Sequence, residues 1–136
     1  MKILSIFILI IFIVSCTPST EVHFFNNSGD DIVLKFESRN KSWKIKANEK
    51  GNFYSEFSTF TVITQGKVFE YPDRLNILSP PDDLDGYIKK YFPMGFKVRL
   101  QFEKNGNIYI VPKSKKFPLE AFNEQPSLFP ILPLEK

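Results

Sequence analysis

The chain has one cysteine, Cys16, and one histidine, His23, and this scarcity limits the chemistry open to it. Catalysis by a histidine-activated serine needs a histidine general base. His23 stands between Val22 and Phe24, where an alternating strand would turn it away from the apolar face, and no Gly-x-Ser-x-Gly run is present. His23 reads as a surface residue. A structural zinc site takes several Cys, His or carboxylate ligands, and the sequence is too poor in thiols and imidazoles to supply them. The acidic run Asp82-Asp83-Leu84-Asp85-Gly86 is the other candidate for a metal. An EF-hand loop alternates its oxygen ligands and closes on a bidentate Glu; here the spacing differs and the next Glu is Glu103. The run is expected to be a solvated turn with a helix N-cap at Asp82 or Asp83. Paired carboxylates of the glycosidase kind meet only in a fold, and nothing in the sequence points to such a pair. The expectation is a non-enzymatic chain with no catalytic residue, metal or cofactor.

Cys16 is the more informative residue. It follows Lys2, an apolar run over residues 3–14 interrupted only by Ser5, and the small residue Ser15. The run is shorter than the roughly 20 apolar residues of a membrane-spanning helix. A basic start, an apolar middle and a small residue before a cut are the parts of a secretory signal. Ile13-Val14-Ser15-Cys16 looks like a lipobox, and on these residues the chain resembles the bacterial lipoproteins. The resemblance covers residues 1–16. It implies export, removal of residues 1–15 as a signal peptide, and covalent diacylglycerol and N-acyl (palmitate) chains on Cys16. An ordinary secretory signal with a different cut site is the rival reading. Each buried CH₂ contributes about 0.8 kcal/mol, so one chain binds marginally and two or three bind stably. Thr17, not Asp, follows the cysteine. In Gram-negative lipoproteins this resembles the pattern sent to the outer membrane, so the implied location is the periplasmic side of that membrane. Residues 16–20 read as the lipidated cysteine and a short polar tether, Thr17-Pro18-Ser19-Thr20.

Removing residues 1–15 takes away one charged residue, Lys2, and leaves enough chain for one domain. The full chain carries a net charge of +3, too near neutral to give an electrostatic reason for binding nucleic acid. With its thiol acylated, the domain has no disulfide to staple it, although an exported compartment would permit one. Phenylalanine must supply the core instead. It occurs fifteen times, and only Phe7 and Phe12 fall in the leader. Each large aromatic buries roughly 150–250 Å².

The elements that position these residues are strands. Residues 31–36 place Ile32, Leu34 and Phe36 on one face, the period of a half-buried strand. Val22 and Phe24 alternate before them, and the turn formers Asn26-Asn27-Ser28-Gly29-Asp30 between the two segments predict a hairpin. Residues 42–46 alternate Trp43 and Ile45 with lysines, 48–52 read as a turn, and 53–57, 60–64 and 67–71 read as further strands. Phe96, Val98, Leu100 and Phe102 alternate with Lys97, Arg99 and Gln101. Asn105-Gly106 then predicts a type I′ turn into a return strand ended by Pro112. About seven or eight short strands predict an all-β antiparallel sandwich over residues 21–112, Ig-like or transthyretin-like. At most one short helix is expected, near residues 82–92, where Leu84, Ile88 and Tyr91 or Phe92 have helical spacing. Residues 72–95 form a long connection of a length that often carries function.

The tail, residues 113–136, contains Pro118, Pro126, Pro130 and Pro133, which exclude a regular helix. It also contains too many large apolar residues for a simple disordered tail. It is expected to pack along the sandwich and cover an edge or an apolar face. The alternative is a docking segment for a partner, with Leu128, Phe129, Ile131 and Leu132 as contacts. Lys113, Lys115 and Lys116 could meet anionic head groups at a membrane surface, at about 1 kcal/mol each; charged strand ends are otherwise simply solvated. The leading expectation is a membrane-anchored lipoprotein that binds an envelope protein as a structural accessory. Small sandwich lipoproteins of secretion machines are similar in size and architecture only. The alternatives are an immunity-type lipoprotein that inhibits a toxin, and a carrier of an apolar ligand in a Phe-lined cavity.

Overall fold

The computed structural model describes residues 19–38, 40–56, 58–75, 77, 79–91, 95–122 and 124–135. The expected leader, Cys16 and the first tether residues lie outside the described residues. Alternation of apolar and polar side chains builds two sheets that bury their apolar faces against each other, a β-sandwich. Its strands, among the described residues, are β1 (Ser19–Asn27), β2 (Ile32–Phe36), β3 (Ser42–Ile45), β4 (Lys50–Tyr54), β5 (Phe60–Thr64), β6 (Lys67–Tyr71), β7 (Lys89–Tyr91), β8 (Gly95–Glu103) and β9 (Ile108–Ile110). The first sheet has the order β4-β1-β8. Strands β7 and β9 share the far edge of β8, against Gly95–Lys97 and Leu100–Phe102 respectively. The second sheet has the order β3-β2-β5-β6 and is antiparallel throughout.

Several local expectations are corrected. The segments around Val22 and Ile32 do not form a hairpin: β1 pairs with β4 and β8, whereas β2 pairs with β3 and β5 in the other sheet. Turn formers between alternating runs mark a change of direction, and they do so equally at a hairpin and at a corner between sheets. The sandwich is not wholly antiparallel, because β1 runs parallel to β8 from Ser19↔Gly95 to Asn27↔Glu103. That pairing joins distant segments and has no local signature. Strand β1 also takes Ser19 and Thr20, the last residues of the expected tether.

The one short helix allowed for near residues 82–92 is a single 3₁₀ turn, Asp82–Leu84, followed by β7. Its N-cap is Pro81, with no side-chain capping bond, so Asp82 and Asp83 sit inside the turn and cap nothing there. Leu84, in this turn, and Ile88, whose N–H donates to Leu84 O at 3.0 Å, are buried as their spacing suggested. The turn after β8 has its positive φ at Gly106 alone (89°). Gly106 N–H donates to Glu103 O at 2.9 Å, and Glu103 N–H donates to Asn107 O at 3.0 Å. This is a three-residue connection with glycine in the left-handed position, not the expected type I′ turn. Two consecutive positive φ values occur instead at Gln65 (26°) and Gly66 (78°), between β5 and β6. In the expected turn over 48–52, only Asn48 has a positive φ (60°), and β4 begins at Lys50.

The core is a lattice of rings. Phe24 lies 6.0 Å from Phe53 and 6.2 Å from Phe102 between ring centroids, and Phe36 lies 5.8 Å from both Phe53 and Phe60. Tyr71 stacks on Phe60 at 4.8 Å and donates its hydroxyl to Gly106 O at 2.6 Å. Burial pushes that phenol well above its ordinary pKa. The long connection after β6 adds Leu75, Ile77, Leu84 and Ile88 to the core. Thr20 Oγ1 pins it to β1, accepting from Ile77 N–H at 3.2 Å and donating to Ile77 O at 3.4 Å.

One buried amide holds the corners. Asn26 Nδ2 donates to Asp30 O (2.7 Å) and Ile45 O (3.2 Å), and its Oδ1 accepts from Ser28 N–H (3.1 Å) and Ser28 Oγ (2.7 Å). Its backbone N–H donates to Glu49 O (3.0 Å), and its carbonyl accepts from Asn48 N–H (2.9 Å). Asn26 therefore clasps two passages between the sheets, from β1 to β2 and from β3 to β4. Removing the side chain takes the partner from the buried Ile45 carbonyl and the buried Ser28 N–H, each costing about 1–3 kcal/mol, besides the bonds to Asp30 O and Ser28 Oγ. Asn26→Ala should lose about 3 kcal/mol or more in equilibrium urea unfolding; a loss under about 1 kcal/mol would contradict the clasp.

Candidate functional site

The tail lies against the first sheet. Gln101, fully buried on the outer face of β8, donates from Nε2 to Leu119 O (3.0 Å) and accepts Leu119 N–H on Oε1 (2.7 Å). Gln125 makes the same paired contact from the tail, accepting Ile110 N–H (2.9 Å) and donating to Ile110 O (3.1 Å). Each carboxamide stands in for one residue of a neighbouring strand. Ile131 completes the set with a true backbone bridge to Ile108, at 3.0 and 2.8 Å. Phe117 stacks on Phe25 with centroids 5.1 Å apart, and Tyr109 stacks on Phe122 at 3.8 Å. Asp83 accepts from Ser127 N–H (2.6 Å) and Oγ (2.5 Å), which holds its carboxyl below the usual Asp range.

This packing separates the expected partner contacts. Ile131 is fully buried and Phe129 packs against the core, so Ile131 is withdrawn as a partner contact. Its bridge to β9 puts its side chain into the core. Leu128 and Leu132 are exposed, at 46% and 55%.

The outer face of the first sheet collects the cations. Register places Lys89, Lys97, Glu21 and Tyr54 in one row, then Arg99, His23 and Asn52, then Gln101, Phe25 and Lys50. Lys113, Lys115 and Lys116 are exposed on the tail segment that crosses this face. Arg99 anchors that segment. Its Nη1 donates to Pro112 O (3.2 Å) and Lys115 O (2.5 Å), and its guanidinium lies 4.5 Å from the centre of the Phe117 ring. Two recesses flank Arg99. The larger, of about 580 Å³, lies between Phe25, Lys50, Lys116 and Phe117 and includes Glu49. The smaller, of about 350 Å³, is lined by Tyr87, Lys89, Lys97, Arg99 and Lys113, with no acid among them.

A carboxylate beside the smaller recess, Glu21, is already engaged by one of its lysines. Glu21 Oε1 is 2.7 Å from His23 Nε2 and 3.5 Å from Lys97 Nζ. The His23 hydrogen bond, and to a lesser degree the Lys97 charge, hold the Glu21 carboxyl below the usual Glu range against the opposing effect of burial. The opposite outer face, on the second sheet, is different. There Lys44, Val33, Ile63 and Val68 stand in one row across β3, β2, β5 and β6. Val33 and Ile63 are half-buried and Val68 is 49% exposed. Leu134, also exposed, donates its N–H to Glu70 O of β6 at 2.7 Å.

Strand alternation foretold that Lys97 and Arg99 face outward. It missed Lys89, which fell inside the expected helix, and both tail-binding glutamines, whose role depends on a segment far along the chain. His23 lies on the outer face with Glu21, and among the described residues no group of three or more His, Cys, Asp or Glu could hold a metal ion. No protein-family model matches the chain, and no curated protein matches it.

Two outcomes follow from this geometry. Gln101→Ala should raise amide hydrogen exchange at Leu119 and its neighbours while leaving Phe24 and Leu100 protected; unchanged protection at Leu119 would contradict the carboxamide clamp. A carboxyl whose pKa is depressed by folding contributes stability above its unfolded pKa and loses it as pH falls through the folded value. Glu21→Gln should therefore be less stable than the parent at neutral pH. That gap should close as pH drops below about 4.3, the ordinary Glu value. A gap of constant size in acid thermal melts would count against the Glu21 contacts.

Proposed function

We propose that the chain is a bacterial lipoprotein, cut before Cys16 and held by diacylglycerol and an N-acyl chain on that residue. It works as a non-enzymatic protein-binding module on the periplasmic side of the outer membrane. The observation that supports this reading is the unlike chemistry of the two outer faces beside the chain start. Strand β1 begins at Ser19, three residues beyond Cys16, which is at most about 11 Å of extended chain. The tether is therefore short, and the domain sits next to whatever holds the cysteine.

The basic face of the first sheet, with Lys113, Lys115 and Lys116, turns toward anionic head groups, each lysine contributing about 1 kcal/mol near the surface. The row Val33, Ile63 and Val68 then points away from the membrane, where an envelope protein can cover it. Exposed apolar side chains grouped on one sheet face are the usual mark of a protein contact. Ring packing through the sandwich favours this reading over a carrier. Phe24, Phe36, Phe53, Phe60, Tyr71 and Phe102 occupy the space an apolar ligand would need.

Cys16→Ala tests the anchor. The parent should fractionate with membranes and give a mature N-terminal peptide whose mass includes the acyl groups. The variant should appear in the soluble fraction. A variant that is processed normally and stays in the membrane would overturn the anchor. For the partner, Val68→Asp should abolish a specific envelope crosslink that Lys115→Gln leaves intact. Retention of the crosslink in a folded Val68→Asp protein would remove that row from the interface.

A further inference from the structure

We propose that the recess lined by Tyr87, Lys89, Lys97, Arg99 and Lys113 is a binding site for a phosphate group. The first observation is the charge of its lining. Four cationic side chains surround about 350 Å³ with no carboxylate among them, although the chain as a whole is nearly balanced, with 18 basic and 15 acidic residues. The second is the register of β7 on β8. It places Lys89 directly opposite Lys97 on neighbouring strands, a like-charge pairing that destabilises a sheet and that Glu21, 3.5 Å from Lys97 Nζ, offsets on the Lys97 side. Local conflicts of this kind are expected where a site serves a ligand. An anion between the two ammonium groups converts the repulsion into two attractions.

The third observation is the fixed position of Arg99. Its guanidinium is held by two tail carbonyls and by the Phe117 ring, so little side-chain entropy remains to be lost on binding. Arginine and lysine together suit a phosphate better than a carboxylate, because the planar fork binds two oxygens while the ammonium groups neutralise the remaining charge. Tyr87 forms a fixed wall, with its hydroxyl donating to Glu124 O at 3.3 Å. Lys97 shares a row with Glu21, which stands two residues along β1 from Ser19. The recess therefore opens beside the start of the described chain, where the phosphate of a lipid head group would be in reach. The site does not depend on acylation of Cys16.

The test uses the full chain carrying Cys16→Ala, so that no acyl group contributes to binding. One arm titrates inorganic pyrophosphate, followed by amide chemical shifts of β7 and β8. The other measures co-sedimentation with phosphatidic acid vesicles, with phosphatidylcholine vesicles as control. Binding in the vesicle arm alone assigns a lipid head group, and binding in the pyrophosphate arm assigns a soluble phosphate; either supports the site. Lys89→Gln/Lys97→Gln should weaken the observed binding about tenfold or more. Lys89→Gln alone, which keeps the Lys97–Glu21 contact, should melt no lower than its parent. Glu21→Gln should strengthen binding. No binding in either arm overturns the proposal. So does an equal loss from the distant pair Lys44→Gln/Lys46→Gln, which would mean diffuse surface charge and no site.

Discussion

The sandwich depends on one buried carboxamide. A two-sheet fold must carry its chain repeatedly from one sheet to the other, and each passage leaves backbone groups without ladder partners. Asn26 meets this requirement for two passages at once, using both of its side-chain donors and its oxygen in full. The Ile45 carbonyl and the Ser28 N–H that it serves are buried, beside the core side chain of Ile45. With that corner closed, β1 is fixed between β4 and β8. The parallel β1–β8 pair then carries the whole outer face on which the cations gather.

The same chemistry recurs where the tail meets the domain. Gln101 and Gln125 each offer a donor and an acceptor at the spacing of a peptide unit, so they extend the sheet's hydrogen bonding without adding a strand. This explains why a proline-rich segment can be held in place. Proline cannot donate to a ladder, but Leu119, next to Pro118, can pair with a carboxamide, and Gln125, next to Pro126, can pair through its own. The tail in turn positions Lys113 and fixes Arg99, so the basic recess is formed partly by the segment that covers the sheet.

Period-two alternation marked Ile32, Leu34 and Phe36, and Val98, Leu100 and Phe102, as core faces, and all six are buried. It also turned Lys97 and Arg99 outward. What it could not show was pairing between distant segments. The Asn26–Asp30 turn reads the same at a hairpin and at a corner. The spacing of Leu84 and Ile88 does not show that the helical turn gives way to β7 at Lys89, and nothing near Gln101 announces Leu119 as its partner. The basic recess was hidden for the same reason. Its lysines come from β7, β8 and the tail, and only the register brings them together. By contrast, the lipobox-like run around Cys16 is local and therefore legible, while what it would mean for the domain depends on which face lies beside it.

That dependence is open to direct measurement. A single fluorophore would be attached to the acylated protein on anionic vesicles, either at Lys113→Cys on the basic face or at Lys35→Cys on the opposite face. Quenching by a lipid-borne quencher would then be compared. A basic face resting on the bilayer requires strong quenching at position 113 and little at position 35. Equal quenching at both positions, or stronger quenching at 35, would contradict the orientation on which the proposed function rests.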